Sequence, residues 1–180
     1  YSQPGLFQIQ MYIQDSHGDS AGSSGAYSVD LNIVPALVWG TGWFNSPTGA
    51  YTANPSLTGN VIFGFSNLNN HRYETPSQTG VLILFSRARL TFRSDASEWN
   101  KVNIGQAVLT GTGRLNGEAG YHFLIMVEDC QVSGCNKDMI RVKIWRQDGS
   151  ELLVIYDSQL GAANDAPPEI EISGGAIQVR

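Results

Sequence analysis

The sequence has few charged residues and no long apolar run. Asp, Glu, Lys and Arg make up 15% of the 180 residues, and the formal net charge is −5. This composition argues against a nucleic-acid partner, because phosphates are bound by clustered Lys and Arg, which the sequence lacks. The longest apolar runs, such as 81–85 and 152–156, are far shorter than the roughly 20 residues of a membrane-spanning helix. We therefore expect neither a nucleic-acid partner nor a membrane span.

Histidine is also scarce, and the motifs of the common catalytic machineries are missing. The three histidines, His17, His71 and His122, lie far apart, so none has a partner at the spacing of a metal site. The sequence contains no Gly-x-Ser-x-Gly, no Cys with a nearby His base, and no Gly-rich phosphate loop leading into a helix. It therefore predicts a protein without enzymatic activity.

Cysteine is limited to Cys130 and Cys135, which are separated by the polar, turn-forming residues QVSG. Because the pair lies between two expected strands, we predict a disulfide that staples the loop and adds about 2 kcal/mol through loop entropy. Two unrelated thiols are the alternative, and a zinc pair is disfavoured because four ligands are normally needed. A disulfide indicates an oxidising compartment, so we expect an extracellular or cell-surface location.

Glycine, in contrast, is abundant, and turn signals separate short β-rich runs. With 20 glycines and low charge, the composition is typical of an all-β protein. Asn116-Gly117 and Asp148-Gly149 predict two hairpins with type I′ turns. The resulting antiparallel strands are expected at 106–115, 119–128, 139–147 and 151–157. Since one apolar face of this meander must be covered, we predict a second sheet and hence an antiparallel β-sandwich, jelly-roll-like in form.

The preceding part of the chain predicts further strands, at 28–39, 60–66 and 80–93. Pro35 interrupts the first of them and indicates an edge or a bend. The Gly, Pro and Asn density of residues 40–59 predicts a loop with one short strand around Trp43. In the third strand one face carries Thr91 and three arginines, which we interpret as a solvated edge rather than as a site for an acidic partner; the arginines are Arg87, Arg89 and Arg93.

Residues 6–14 form a separate amphipathic strand pattern, LFQIQMYIQ. Strict alternation places four apolar side chains on one face; they are Phe7, Ile9, Met11 and Ile13. A flexible polar segment follows, so we divide the chain into a strand with its tether at 1–27 and a single β-sandwich domain at 28–180. The strand can fold back to complete its own sheet, or it can add to the open edge of a neighbouring molecule.

Strand exchange would make the protein its own partner. A head-to-tail contact of this kind does not close on itself, so it generates a fibre unless the rotation happens to make a ring. We therefore expect a homopolymer, in which the chain is a structural subunit of an extracellular filament, tube or surface layer. The alternative is a monomeric adhesion or carbohydrate-binding module of a larger surface protein, whose N-terminal strand completes its own sheet.

Aromatic residues provide the candidate ligand site of this alternative. Aromatic faces offer flat apolar area to sugar rings. The candidates are Trp39, Trp43, Phe44 and Tyr51, with Trp99 further along the chain. Packing in the core is the competing interpretation for each of them.

Carboxylates near the expected strand ends form a candidate metal site. Ca²⁺ takes six to eight oxygen ligands from carboxylates, carbonyls and water. The candidate ligands are Glu128, Asp129, Asp138, Asp157 and Asp165. Alternatively, these residues cap backbone donors in turns. Calcium is thus an optional ion, and no cofactor is expected to be required.

Several motifs occur in the order found in a recurring extracellular module. The most specific are Gly-Thr-Gly-x-x-Asn-Gly at 111–117, Ile-Arg-Val-Lys-Ile-Trp at 140–145, and the tail from Tyr156 through Gly174-Gly175. Over about residues 40–179 the sequence resembles the all-β post-choice-of-anchor-type module of large secreted bacterial and archaeal surface proteins. The resemblance implies a secreted β-sandwich with an accessory role and no activity. The cysteine pair departs from it, because the module usually has a Gly-rich loop there.

Overall fold

The structure is a computed structural model that describes residues 38–66, 80–103 and 105–180, with the backbone alone described for 97–103. The predicted strand at 6–14, its tether and the boundary at 27/28 lie outside these residues. Regular structure in the described ranges is almost entirely β, which confirms the predicted all-β class. The strands are β1 Val38–Ser46, β2 Gly59–Ser66, β3 Gly80–Phe85, β4 Leu90–Asn103, β5 Gln106–Leu115, β6 Glu118–Glu128, β7 Met139–Asp148, β8 Glu151–Asp157, β9 Ile170–Glu171 and β10 Gly174–Val179. A 3-10 helix, Ser86–Ala88, and a single-turn helix α1, Cys130–Ser133, complete the list.

All of these strands belong to one antiparallel sheet. Its order is β10-β1-β2-β3-β4-β5-β6-β7-β8, and β9 pairs separately with β7. Consecutive strands from β1 to β8 are neighbours, while the last strand returns to pair with the first. Tyr51, just after β1, forms an isolated bridge with Tyr156 on β8. Because this bridge joins distant parts of the strand order, the sheet must curl on itself.

The inner face of the curled sheet forms one apolar core. Alternate side chains of successive strands point inward, as the two-residue period of a strand requires. Phe92 of β4 meets Phe123 of β6 edge-on at 5.5 Å between ring centroids, and Phe85 of β3 meets Tyr156 of β8 at 6.1 Å. The apolar face of the β5–β8 meander is therefore covered by other strands of the same sheet. The separate second sheet that the sequence predicted is not present in the described ranges.

The meander from β5 to β8 matches its prediction closely, but one turn differs. Asn116 and Gly117 have φ values of 51° and 88°, which confirms the type I′ turn. In the next hairpin Asp148 pairs with Glu151, so the loop residues are Gly149 and Ser150, and Gly149 alone has a positive φ, of 61°. This pattern is that of a type II′ turn, with Gly at the first central position. The predicted Asp-Gly type I′ turn is wrong by one residue.

Residues 40–59 contain the strand predicted around Trp43, but it is not a short strand within a loop, because β1 runs without a break from Val38 to Ser46. The glycines that indicated a loop serve close packing instead. A Cβ at Gly40 would collide with the ring of Phe65, and one at Gly42 would collide with the backbone of Gly174. Glycine here allows neighbouring groups to approach the strand rather than making it turn.

The single strand predicted at 80–93 is interrupted. The 3-10 helix ends at Arg89, whose φ of 52° is left-handed and whose backbone N–H donates to Ser86 O at 3.0 Å. Arg87 lies in this helix and donates to Thr58 O at 2.9 Å, whereas Arg93 lies on β4. The three arginines therefore do not form a line on one strand, so the predicted basic edge is wrong.

Candidate functional site: strand edges and outer sheet face

Two predicted calcium ligands bind the backbone of β10 instead. Asp129 Oδ2 accepts from Val179 N at 3.1 Å, and Asp138 Oδ2 accepts from Ile177 N at 2.9 Å. Their other oxygens accept from Gln131 N and Cys130 N, each at 3.0 Å. Both carboxylates thus satisfy backbone donors, which was the alternative interpretation of these residues. They also protect the edge of β10 that faces away from β1.

The other three predicted calcium ligands do not cluster with Asp129 and Asp138. Asp157 lies in an ion pair with Arg141, and Glu128 and Asp165 are respectively half-buried and exposed. Within the described ranges, no group of three or more His, Cys, Asp or Glu side chains is placed to hold a metal ion. Calcium binding stays a prediction, because oxygen ligands also come from carbonyls and from water.

The disulfide predicted between Cys130 and Cys135 is present. It encloses α1, whose first turn is capped by Asp129 through the bond to Gln131 N, and whose end is marked by Gly134 in the left-handed region. Asp129 N also donates to Gly105 O at 2.7 Å. The stapled loop therefore presents two fixed carboxylates, one from each side of the ring, to the terminal strand.

A buried charge cluster lies on the outer face of β7, and the sequence analysis missed it. Arg141 is 0% exposed, and its Nη2 lies 3.2 Å from Asp157 Oδ2. The guanidinium also donates to the carbonyls of Ala162 and Ala163, in the loop after β8. Because alternation of side chains predicts only the face of a residue, nothing in the pattern indicated that this loop covers Arg141.

The two halves of β8 differ in how their outer edge is occupied. Toward the end of the strand, Thr52 N donates to Ile155 O at 3.1 Å and Asp157 N donates to Ala50 O at 2.9 Å. Toward its beginning, β8 is the last strand of the paired order, and no described strand flanks it on the side away from β7. Leu152 and Leu153 there are 53% and 42% exposed. The sequence contains a signal for this exposure, which is the pair of adjacent leucines. Adjacent residues of a strand point to opposite faces, so both cannot be buried in one core.

The predicted aromatic platform divides between the two faces of the sheet. Phe44 is fully buried, and Tyr51 packs against the core with its ring 6.3 Å from that of Phe85. Trp39 and Trp43 lie on the outer face, and Trp43 is 37% exposed. The structure therefore brings together two of the four predicted residues. The side chain of Trp99 falls outside the description.

His122, alone of the histidines, lies in a described range. Its ring stacks on Trp145 with 5.7 Å between centroids, and Lys143 Nζ lies 5.7 Å from the same indole. The three side chains share the outer face of β6 and β7, because His122 pairs with Trp145 across the strands. This arrangement gives His122 a packing role.

Comparison of the chain with protein-family models, with curated proteins and with solved structures found no significant match. Among the described helices, none is long and apolar enough to cross a membrane. The fold and its edges define a class: an antiparallel all-β protein with one stapled loop and one partly open strand edge. The resemblance to a secreted surface module remains a prediction.

Proposed function

We propose that this protein is a structural subunit of an extracellular filament, tube or surface layer. Residues 6–14 of one subunit insert into a neighbouring subunit, where they add a strand to the open beginning of β8. The observation that carries the proposal is the exposure of Leu152 and Leu153 on this edge, at 53% and 42%. Large apolar side chains beside an unpaired strand edge favour addition of another strand at that edge.

Other edges of the sheet are less available. Asp129 and Asp138 occupy the outward N–H groups of β10, and residues 50–52 cover the end of β8. Such coverage is how proteins commonly prevent edge-to-edge association. The cover begins at Val154, whose carbonyl accepts from Thr52 Oγ1 at 2.8 Å. Residues 151–153 of β8 lack comparable cover in the described part of the chain, so they favour one acceptor edge over the others.

The donor is supported by its pattern. An added strand gains affinity from backbone hydrogen bonds and specificity from every second side chain. Phe7, Ile9, Met11 and Ile13 occur at this spacing, with Gln on the opposite face. Burial of four such side chains would contribute roughly 6–12 kcal/mol before ordering costs. A head-to-tail contact of this kind propagates into a fibre.

The finer features of the fold belong to the same proposal. The curled sheet is taken as a jelly-roll-like sandwich, supported by the Tyr51–Tyr156 bridge between its distant strands. The Cys130–Cys135 disulfide supports an extracellular location, because disulfides persist in oxidising compartments. The motifs at 111–117 and 140–145 support membership of the post-choice-of-anchor-type module. No enzymatic activity is part of this role.

Truncation tests the donor. The 180-residue chain and a version lacking residues 1–27 are compared at matched concentration by light scattering and negative-stain electron microscopy. We expect ordered polymers from the full chain and folded monomers from the truncated one, with folding checked by circular dichroism. A full chain that stays monomeric at high concentration would contradict the proposal.

Point variants test donor and acceptor separately. Phe7→Ser with Ile9→Ser should abolish polymers, whereas Gln8→Ser with Gln10→Ser, on the other face of the same strand, should not. Leu152→Lys with Leu153→Lys should block the acceptor, because charged side chains disfavour strand addition. Leu160→Lys is the matched control, since Leu160 is 56% exposed but lies outside the strands. Polymers that survive the β8 change would exclude this edge as the acceptor.

A further inference from the structure

The outer face of four adjacent strands carries no charged side chain. The register aligns the outward positions of β10, β1, β2 and β3, and all of them are apolar, small or amide residues. Within it, Trp43 of β1 and Ile62 of β2 are direct cross-strand partners and are 37% and 47% exposed. Exposed apolar groups that lie together on a sheet, rather than singly, indicate a contact surface.

Two indoles on this face are held in similar positions. Trp43 pairs with Gly174 of β10, and a Cβ at Gly174 would lie only 2.6 Å from Trp43 Nε1. The indole therefore lies across the β10 backbone, where glycine leaves room for it. Trp39 pairs with Gln178 on the same strand, and its Nε1 donates to Gln178 Oε1 at 3.0 Å. Both rings thus extend toward β10 and are fixed by their cross-strand partners.

Only small residues lie between the two indoles on the outer face of the sheet. Thr41 lies midway between them on β1, and its neighbours are Ala176 on β10 and Gly64 on β2. None of these side chains is large enough to separate the two rings. Four residues of a strand span about 13 Å, so an extended molecule can contact both indoles across a nearly flat floor.

Amide side chains border this floor. Asn45 and Asn60 are cross-strand partners beyond Trp43, and Gln178 lies beside Trp39 at the other end. An amide offers both donors and acceptors, which is what a hydroxyl-rich ligand requires. Aromatic area with a few convergent polar groups is the common composition of a small-molecule or sugar site.

We propose that this outer face, centred on Trp39, Thr41 and Trp43, binds a neutral, extended polysaccharide of the β-linked type. The apolar C–H faces of its sugar rings stack on the two indoles, and its hydroxyls bond to the bordering amides. Absence of charge on these described strands favours a neutral chain over an anionic one, because complementary charge is what selects an ionic partner. A flat floor suits a ribbon-like chain rather than a coiled one.

Binding at this face does not depend on strand addition at β8. The two sites use different strands and different residues, so each can fail alone. A polymer with this face outward would present many copies of a weak site, which raises the overall avidity without new contacts.

Binding is measured with defined probes: cellulose and chitin in pull-down assays, and soluble mixed-linkage β-glucan in affinity electrophoresis. Amylose serves as the coiled neutral chain and alginate as the anionic one. The version lacking residues 1–27 is assayed beside the full chain, so that avidity from polymers is separated from the site itself. We expect at least one β-linked neutral probe to bind, and amylose and alginate to bind more weakly.

Variants locate the site. Trp43→Ala should weaken binding about tenfold or more, as loss of a central aromatic contact commonly does. Thr41→Arg should have a similar effect while leaving both indoles in place, because a long charged side chain would cross the exposed floor. Trp145→Ala is the matched control on another part of the outer face and should leave binding unchanged. Thermal unfolding confirms that each variant is folded.

Several results would overturn the proposal. They are failure of every β-linked probe to bind, equal binding by Trp43→Ala, or alginate binding as strong as that of the neutral probes. A further contradicting result would come from sedimentation of the version lacking residues 1–27. If that version self-associates, and Trp43→Ala abolishes the self-association but leaves polysaccharide retention unchanged, the face is a contact between copies of this chain.

Discussion

Arg141 and Asp157 form an ion pair that is almost completely removed from water. Nη2 lies 3.2 Å from Oδ2 and Nε lies 3.4 Å from Oδ1, with side-chain exposures of 0% and 2%. Two carbonyls of the loop after β8, those of Ala162 and Ala163, accept from two further guanidinium N–H groups. The pair therefore connects β7, β8 and this loop, and Lys143 Nζ, 4.0 Å from Asp157 Oδ2, is a second and more distant cation beside it.

Removal of one partner should be costly. We expect Arg141→Met to lower the free energy of unfolding toward the lower end of about 3–5 kcal/mol, because buried Asp157 then keeps only the more distant Lys143 Nζ, at 4.0 Å, as a counter-charge. The measurement is chemical denaturation at neutral pH. Arg114→Met is the control, since Arg114 pairs with Asp95 in an exposed bridge, 54% and 46% accessible, that should contribute less than about 1 kcal/mol.

A double variant separates charge from packing. Arg141→Met with Asp157→Asn removes both charges of the pair, so it should recover part of the stability lost in Arg141→Met. The opposite result would be a double variant whose free energy of unfolding is lower than that of Arg141→Met by as much as Asp157→Asn alone lowers it in the wild type. That result would show that the hydrogen bonds to the loop, rather than the paired charges, stabilise this region.

The carboxylate of Asp138 should control the exposure of β10. Asp138→Asn keeps one acceptor oxygen, but its NH₂ group must face either Cys130 N or Ile177 N. An unsatisfied donor at such a site costs about 1–3 kcal/mol. We expect lower stability and faster amide hydrogen exchange at Ile177. Asp165→Asn, a change at an exposed residue, should alter neither; equal exchange in both variants would contradict the role assigned to Asp138.

Reduction of the Cys130–Cys135 disulfide should destabilise the protein modestly. The closed ring is short, so the loop-entropy contribution is about 2 kcal/mol. Reductant should lower the free energy of unfolding of the wild type by this amount, and it should not affect Cys130→Ser with Cys135→Ser. Because both Asp129 and Asp138 flank the ring, exchange at Ile177 and Val179 should also accelerate. Protection unchanged on reduction would show that the carboxylates are held without the staple.

Alternation and turn residues predicted the β5–β8 meander well. The ends of β5 and β8 agree with the expected 106–115 and 151–157 because Asn116-Gly117 and the Gly149 turn leave few choices of register. The same rules predicted a strand around Trp43 but failed at its beginning, where Gly40 and Gly42 serve close packing inside β1 rather than a loop. A sequence records that glycine is present but not which neighbour approaches it.

The candidate sites were only partly predictable for a related reason. Trp39, Trp43 and Phe44 were predicted as one platform, because the strand that sends Phe44 to the opposite face was expected to be mostly loop; nor could the sequence show that Gly174 receives an indole. The buried Arg141 was missed, because the loop that covers it is distant in sequence. Pairing across a curled sheet depends on long-range contacts, which a periodic pattern does not encode.

Tyr156 should make stability sensitive to alkaline pH. Its phenol is 1% exposed and donates to Ser46 Oγ at 3.1 Å. Burial raises the pKa of Tyr156 well above its ordinary value of 10.0, and the nearby charge of Asp157 acts in the same direction. A pKa that is higher in the folded than in the unfolded chain gives stability that is complete below the unfolded value and is lost as pH rises above it.

We therefore expect the free energy of unfolding to decline above about pH 10, where the unfolded phenol ionises and the folded one does not. Tyr156→Phe should be less stable by about 1 kcal/mol at pH 7, because Ser46 loses its donor. It should also show a shallower decline between about pH 10 and 12, because phenylalanine cannot ionise. Denaturant titrations across this range provide the comparison. Identical alkaline slopes for both proteins would show that Tyr156 reaches water before the chain unfolds.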